Sequence, residues 1–302
     1  FIGTSKTRGL FNKNLHLSRV ENDIIYSPEI NNLSNDDIKN LKGFIINDKR
    51  KIPTSIKNKL VFNKIKNLNF LTVNEWCEEF LQRIPLNLIT EIDLIRGEYK
   101  FLNKKLQIKI KRLGDILFSL FLLIICSPLI LFSGILIKIE DGGNIFYQQT
   151  RTGLNGKLIK ICKLRSMIID AEKKGAQWSN RNDERITKIG RFIRKTRIDE
   201  LPQLLAVLKG DMSLIGPRPE RPEIEKKLRL EIPFYDFRYS VKPGLSGWAQ
   251  INYPYGASIQ DAENKLSYDL YYIKNFSILI DFLILLKTIK LVLNAQGSLS
   301  KN

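Results

Sequence analysis

The sequence predicts an α/β chain in three parts: a small Rossmann-like N-terminal domain, a re-entrant membrane helix, and a mixed, mainly helical α+β domain. Three observations carry this. Short apolar runs alternate with polar helical stretches over residues 1–95, the pattern of a parallel sheet with crossover helices. A single long apolar run, Ile116 to Ile137, is interrupted near its centre by Ser127-Pro128. Residues 140–302 then mix basic strand-like pieces with amphipathic stretches and a glycine-, proline- and aromatic-rich loop. With 302 residues, 43% of them hydrophobic, the chain has material for about two cores.

In the N-terminal part, residues 23–27 (DIIYS), 41–48 (LKGFIIND) and 68–73 (LNFLTV) read as strands. Residues 34–41, 53–67 and 74–84 read as helices, the last with Asn74 as its N-cap. The stretch contains no G-x-G-x-x-G fingerprint, so a Rossmann-like module without a bound dinucleotide is expected. The chain opens on Phe1, and FIGTSKTRGL has no apolar leader-like run. The start reads as that of a fragment of a longer chain.

Residues 96–112 form a basic connector, and the membrane segment is expected over 113–139. As a helix, its apolar run would be about 33 Å long, enough to cross a bilayer core. Pro128 removes one backbone donor and crowds the preceding turn, so a kink is expected, and the Ser127 hydroxyl is at hand for the freed carbonyl. Both flanks are basic: Lys104, Lys105, Lys109, Lys111 and Arg112 precede the run, and Lys138, Arg151, Lys157, Lys160 and Lys163 follow it. The positive-inside rule places both flanks on one face, which a helix broken at Ser127-Pro128 satisfies. A kinked span is the alternative. Residues 276–293 are also apolar but carry Asp281, Lys287 and Lys290, so an amphipathic helix on the core or the membrane interface is expected.

A net charge of +18 points to polyanionic partners: anionic lipid, phosphorylated substrates or nucleic acid. The basic residues are spread along the chain without an RRM, zinc-finger or helix-turn-helix signature, so no nucleic-acid partner is expected. Three distant cysteines and one histidine leave almost no material for a disulfide framework or a zinc site.

The stretch RKTRIDELPQL, 194–204, sets Asp199 and Glu200 side by side behind Arg191, Arg194, Lys195 and Arg197. An ionised carboxylate is a competent nucleophile toward phosphorus, and neighbouring arginines would keep it ionised by lowering its pKa. The same arginines can grip a diphosphate, with Mg²⁺ bridging carboxylate and phosphates. Taken alone, such a cluster is more often a solvated face. A second stretch, LKGDMSLIGPRPERPE (208–223), holds Arg218 between Pro217 and Pro219, a stiffened loop suited to a phosphate contact or simply a surface turn, with Asp211 as a cap or turn residue.

Five ordered segments resemble the bacterial sugar transferases, the monotopic phosphoglycosyl transferases: KRLGDILFSLFLLIICSPLILFSGILIKI, IFYQQTRTGLNGKLIKICKLRSM, RKTRIDELPQLLAVLKGDMSLIGPRPERPE, VKPGLSGWAQINYPYG and YDLYYIKN. The resemblance covers about 111–293, and the preceding residues are similar to the Rossmann-like module of larger members. It implies a cytoplasmic catalytic domain over 140–302 at the bacterial inner membrane. The reaction would pass a sugar-1-phosphate from a UDP-sugar to undecaprenyl phosphate through a phosphosugar on aspartate, initiating exopolysaccharide, capsule or O-antigen synthesis. By this resemblance Asp199 is the nucleophile and Glu200 its partner at Mg²⁺ (or Mn²⁺). Lys163, Arg165, Arg194, Arg218 and Asp269 belong to substrate-binding positions. Ser127-Pro128 matches the membrane break, and Lys111-Arg112 its basic lead-in. Trp248 is a candidate for the nucleotide's surroundings, with packing as the alternative. The phospholipid membrane is an expected partner, and the N-terminal domain offers a surface for a homodimer.

Overall fold

The computed structural model divides the chain into two units, Phe1–Glu91 and Ile92–Asn302. It describes residues 8–9, 11–12, 43–46, 69–89, 105–173, 175, 183–254, 256 and 258–294. The described residues are mainly helical, with three two-stranded sheets and one long apolar helix.

In the first unit, strands β1 (Gly43–Ile46) and β2 (Asn69–Thr72) pair in parallel. Helix α1 (Val73–Trp76) follows at once and runs into a π-turn, Cys77–Leu81. Its N-cap is Thr72 rather than Asn74. The Thr72 hydroxyl accepts from the Glu75 amide (3.2 Å), and the Glu75 carboxylate accepts from the Thr72 amide (2.8 Å). This reciprocal box satisfies two helix-end donors together; Asn74 has Cys77 three residues on and cannot build one. Phe11, Val73, Trp76 and Cys77 form a small core, with Phe11 edge-on to Trp76 at 4.9 Å. The strand at 23–27 and the helices at 34–41 and 53–67 lie outside the described residues, and with them the wider Rossmann-like arrangement.

The second unit is organised around helix α2, Lys105–Asp141, 37 residues long. It extends beyond the apolar run at both ends, taking in the last turns of the expected connector. By length and composition it is able to cross a membrane, and it exposes Leu117, Phe121, Ile124, Leu131, Phe132 and Ile135 among others. The helix continues through Pro128. The carbonyl that Pro128 leaves without a donor is that of Ile124, and the Ser127 hydroxyl donates to it at 2.9 Å.

Both ends of α2 are bonded to the same unit. Near the start, Lys111 Nζ donates to the Ile215 carbonyl (2.9 Å) and to Asp281 (2.7 Å). The Arg112 guanidinium donates to the Val207 and Leu208 carbonyls (2.5 and 2.6 Å), and the Asp115 carboxylate accepts from the Ser213 hydroxyl (3.1 Å) and the Leu214 amide (3.0 Å). Near the end, Glu140 accepts from the Ile189 amide (3.1 Å), and Asp141 pairs with Arg165. Lys111 and Arg112, counted from the sequence as flanking surface charge, are instead turned into the protein as internal donors. Sequence spacing conceals this because their acceptors lie roughly a hundred or more residues away.

After α2 the predicted strands form an antiparallel hairpin, β3 (Phe146–Thr152) and β4 (Leu158–Leu164), registered Phe146 to Leu164 and Tyr147 to Lys163. Helix α3 (Lys188–Lys195) is capped by Thr187. A 3-10 turn, Ile198–Gln203, runs into α4 (Leu204–Lys209), after which Asp211 sits in a turn, paired with Lys209 at 2.8 Å. Strand β5 (Ser213–Ile215), α5 (Pro222–Glu231), β6 (Gly244–Ser246), α6 (Trp248–Asn252), α7 (Ile259–Lys274) and α8 (Ile278–Leu293) complete the order. The segment read as a glycine-rich loop thus contains both a strand, parallel to β5, and a short helix. Glycine is required where these meet: a β-carbon on Gly244 would lie 2.0 Å from the Gly216 nitrogen, and one on Gly247 2.1 Å from the Gly216 carbonyl oxygen.

The main core joins Ile159 and Ile161 of β4 to Leu204 and Val207 of α4, Met212, Ile215, Trp248, Tyr272, Phe276 and Ile284. Trp248 is buried, stacked on Tyr271 at 5.5 Å with Lys287 over its ring; its place is in the packing. Helix α8 buries Ile284 while leaving Leu279, Phe282, Leu286 and Leu293 exposed. Its Asp281 faces inward, accepting from Lys111 and from the Tyr272 hydroxyl (2.8 Å).

Candidate active site

The acidic pair sits where α3 ends and the chain reverses. Thr196 closes α3, and Arg197 then adopts a left-handed backbone, φ +62°, before the 3-10 turn begins. For a residue with a β-carbon this conformation costs on the order of 1 kcal/mol. The turn buries both acids: Asp199 is 8% and Glu200 7% exposed. Pro202 and Gln203 are buried behind them, and α4 continues the turn into the core.

The cations converge on Glu200. Lys163, from β4, donates to Oε1 at 2.9 Å. Arg218, from the loop after β5, donates to the same oxygen at 2.6 Å and to Oε2 at 3.4 Å. Arg197 lies 3.8 Å from Oε2. Burial by itself would raise the Glu200 pKa, but Arg218, Lys163 and Arg197 together hold it well below the usual carboxylate value. Lys163 is pushed down by its own burial, against the pull of Glu200.

Asp199 is different. Burial and the adjacent Glu200 charge raise its pKa to about 6, opposed by Lys163, Arg197 and Arg194. Its Oδ1 is buried without a hydrogen-bond partner among the described residues. The arginines lower the pKa of the nucleophile candidate, as the sequence suggests, but burial and Glu200 outweigh them. The cations act chiefly on Glu200, because the 3-10 turn directs that side chain, and not Asp199, onto Lys163 and Arg218. At neutral pH Asp199 remains mostly ionised, desolvated and unengaged.

Of the other sequence candidates, Lys163 and Arg218 reach Glu200 directly, and Arg194 contributes to the field at Asp199. Arg165 follows β4 but pairs with Asp141 and donates to the Asn144 carbonyl (2.6 Å), fastening the end of α2 instead of meeting the acids. Asp269 is buried on α7 and held by Arg238 at 3.1 Å; burial raises its pKa to about 6 against the pull of Arg238. The same Arg238 nitrogen donates to the Arg218 carbonyl at 2.8 Å. Asp269 therefore acts through Arg238 on the loop that carries Arg218. Ser127 and Pro128 are on α2, apart from this cluster.

Sequence reading missed Arg238, Arg151 and Asp115. Arg151, on β3, donates to the Pro219 carbonyl (3.1 Å) and lies 3.6 Å from Glu220, steadying the far side of the Arg218 loop. Asp115 holds the strand that leads into that loop. None had a local signal beyond its residue type, since each acts across tens of residues.

A cluster of Lys163, Arg194, Arg197 and Arg218 around two buried carboxylates suits phosphate esters. The cluster sits on a body fastened to a helix long and apolar enough to cross a membrane. The bacterial sugar transferase family model matches residues 106–295, and the chain belongs to that family. Over 189 residues it is 47% identical to the UDP-N-acetylgalactosamine-undecaprenyl-phosphate N-acetylgalactosaminephosphotransferase of Aeromonas hydrophila, covering 63% of this chain and 45% of that protein. It is 38% identical over 182 residues to the UDP-glucose:undecaprenyl-phosphate glucose-1-phosphate transferase of Escherichia coli (60% and 39% covered). It is also 38% identical over 204 residues to the undecaprenyl-phosphate galactose phosphotransferase of Salmonella typhimurium (63% and 41%). The chain spans less than half the length of these curated relatives.

Proposed function

We propose that the protein transfers a sugar-1-phosphate from a UDP-sugar to undecaprenyl phosphate at the cytoplasmic face of the bacterial inner membrane, initiating exopolysaccharide, capsule or O-antigen synthesis. The observation that carries this is the asymmetric acid pair: Glu200 locked in a cation cage, and Asp199 beside it, desolvated, mostly ionised and with Oδ1 uncommitted. Family membership and the names of the relatives support it.

In this reading Asp199 attacks the phosphorus that bears the sugar. The P–O bond to UMP breaks, and UMP leaves with that electron pair. A phosphate oxygen of the lipid then attacks the same phosphorus, the bond to the Asp199 carboxylate breaks, and a diphosphate-linked sugar departs. Arg218 and Lys163 spread positive charge where the equatorial oxygens gain negative charge, the usual protein contribution to phosphoryl transfer. Asp199 and Glu200 Oε2, the less tightly held oxygen of the pair, would hold a hard divalent ion. Mg²⁺ or Mn²⁺ there would neutralise charge on the donor's phosphates.

The apolar helix delivers this site to a lipid substrate. Its re-entrant course is supported by two features: Ser127 supplies the hydrogen bond that a break at Pro128 would need, and Lys111 and Asp141, thirty residues apart, are both bonded to one unit. The exposed apolar side of α8 extends the membrane-facing surface. The N-terminal module remains a proposed Rossmann-like domain and a proposed homodimer surface. The test is UMP release from a panel of UDP-sugars by protein in lipid nanodiscs, with and without undecaprenyl phosphate. Release with one or more donors is expected; none with any donor would reject the assignment.

A further inference from the structure

Arg197 is the cation that the site explains least. Lys163 and Arg218 each make a close hydrogen bond to Glu200, whereas Arg197 stands off at 3.8 Å with its side chain 34% exposed. Its backbone is left-handed, φ +62°, a conformation in which glycine or asparagine would sit with less strain. The strained turn sets a guanidinium at this cluster, two residues before Asp199, where a caged Glu200 already has two closer cations. An outlier at such a position is a reason to look for function.

We infer that Arg197 is a phosphate-binding residue, resting on Glu200 in the free protein and moving onto a phosphoryl oxygen when substrate enters. The guanidinium fork suits two oxygens of one phosphate, and release from a 3.8 Å ion pair costs little, so the exchange favours the ligand. The inference rests on the phosphoglycosyl transfer reading. Both the donor's diphosphate and the lipid acceptor's phosphate present the chemistry it requires.

The experiment uses the full chain in nanodiscs. UDP is titrated calorimetrically into wild type and into Arg197→Ala, Arg197→Lys and Arg197→Gly, and the KM for undecaprenyl phosphate is measured at saturating donor. If Arg197 meets the donor, Arg197→Ala weakens UDP binding at least about tenfold. Arg197→Lys then recovers part of the loss, because it returns the charge without the fork. If it meets the acceptor, UDP binding is unchanged and the lipid KM rises by a similar factor. Arg197→Gly separates ligand contact from backbone effect: it relieves the strained φ and raises the melting temperature, yet binds as poorly as Arg197→Ala. Unchanged UDP binding together with an unchanged lipid KM in Arg197→Ala overturns the inference, as does wild-type UDP binding together with a wild-type lipid KM in Arg197→Gly. Weakened UDP binding in Arg197→Ala with no UMP release by wild type from any UDP-sugar would show that the transfer reading, and not the phosphate contact, has failed.

Discussion

At the scale of the residue, the account turns on two neighbouring carboxylates in opposite electrostatic states. The rise of the Asp199 pKa means that its ionised form opposes folding at neutral pH. The sign follows from the direction: the stabilising, protonated state is complete below the ordinary carboxylate pKa and is lost as pH rises through about 6. Asp199→Asn, which mimics the neutral form, is therefore expected to melt higher than wild type at pH 7.5 in the presence of EDTA, while losing turnover. A lower melting temperature would contradict the electrostatic description. Wild-type activity should fall about tenfold per pH unit below about 6, because attack requires the anion. Glu200→Gln removes the neighbouring charge that raises the Asp199 pKa and leaves the cations in place. Its acid limb should shift to lower pH although turnover drops, and a pH-rate profile measures both.

At the scale of the element, α2 and the hairpin decide where the site lies. Pro128→Ala restores an amide donor for the Ile124 carbonyl and removes the ring clash, a change worth on the order of 3 kcal/mol in a helix interior. The straightened helix could then span, while the bonds of Lys111 and Asp141 resist. Mixed topology and reduced activity are expected. The measurement is labelling of single cysteines at positions 105 and 157 in sealed vesicles, on a background lacking native cysteines. Wild-type labelling of the two sites from opposite faces would rule out re-entry. Elements with long-period or alternating patterns were legible in the sequence: the apolar helix, β1, β2 and α8, and β3 and β4 as strand pieces without their pairing. Strands β5 and β6 were not, because three-residue strands in glycine- and proline-rich sequence derive their pairing from the close approach of Gly216 and Gly244. The cap at Thr72 was passed over for Asn74 because only the reciprocal bond to Glu75 distinguishes them.

At the scale of the whole molecule, the second unit joins an apolar helix to a cationic cluster; in the proposed reaction a water-borne anion and a lipid-borne one meet there at one aspartate. The sequence made Arg194, Arg197 and Arg218 legible through the two motifs around Asp199 and Pro217, while Lys163 came only through the family resemblance. It could not reveal the division of labour, since Lys163, Arg218 and Arg238 are brought together only by the fold. With two carboxylates and incoming phosphates forming a hard oxygen site, EDTA should abolish turnover, and Mg²⁺ or Mn²⁺ should restore it; a rate indifferent to chelation would remove the metal from the account. The most direct test of the central claim is intact-mass analysis of nanodisc-embedded protein mixed with its UDP-sugar and no lipid acceptor. The account predicts a mass increase of one phosphosugar on wild type, mapped to Asp199 by peptide sequencing, discharged on adding undecaprenyl phosphate, and absent in Asp199→Asn. Turnover with no adduct, or an adduct that persists in Asp199→Asn, would contradict it.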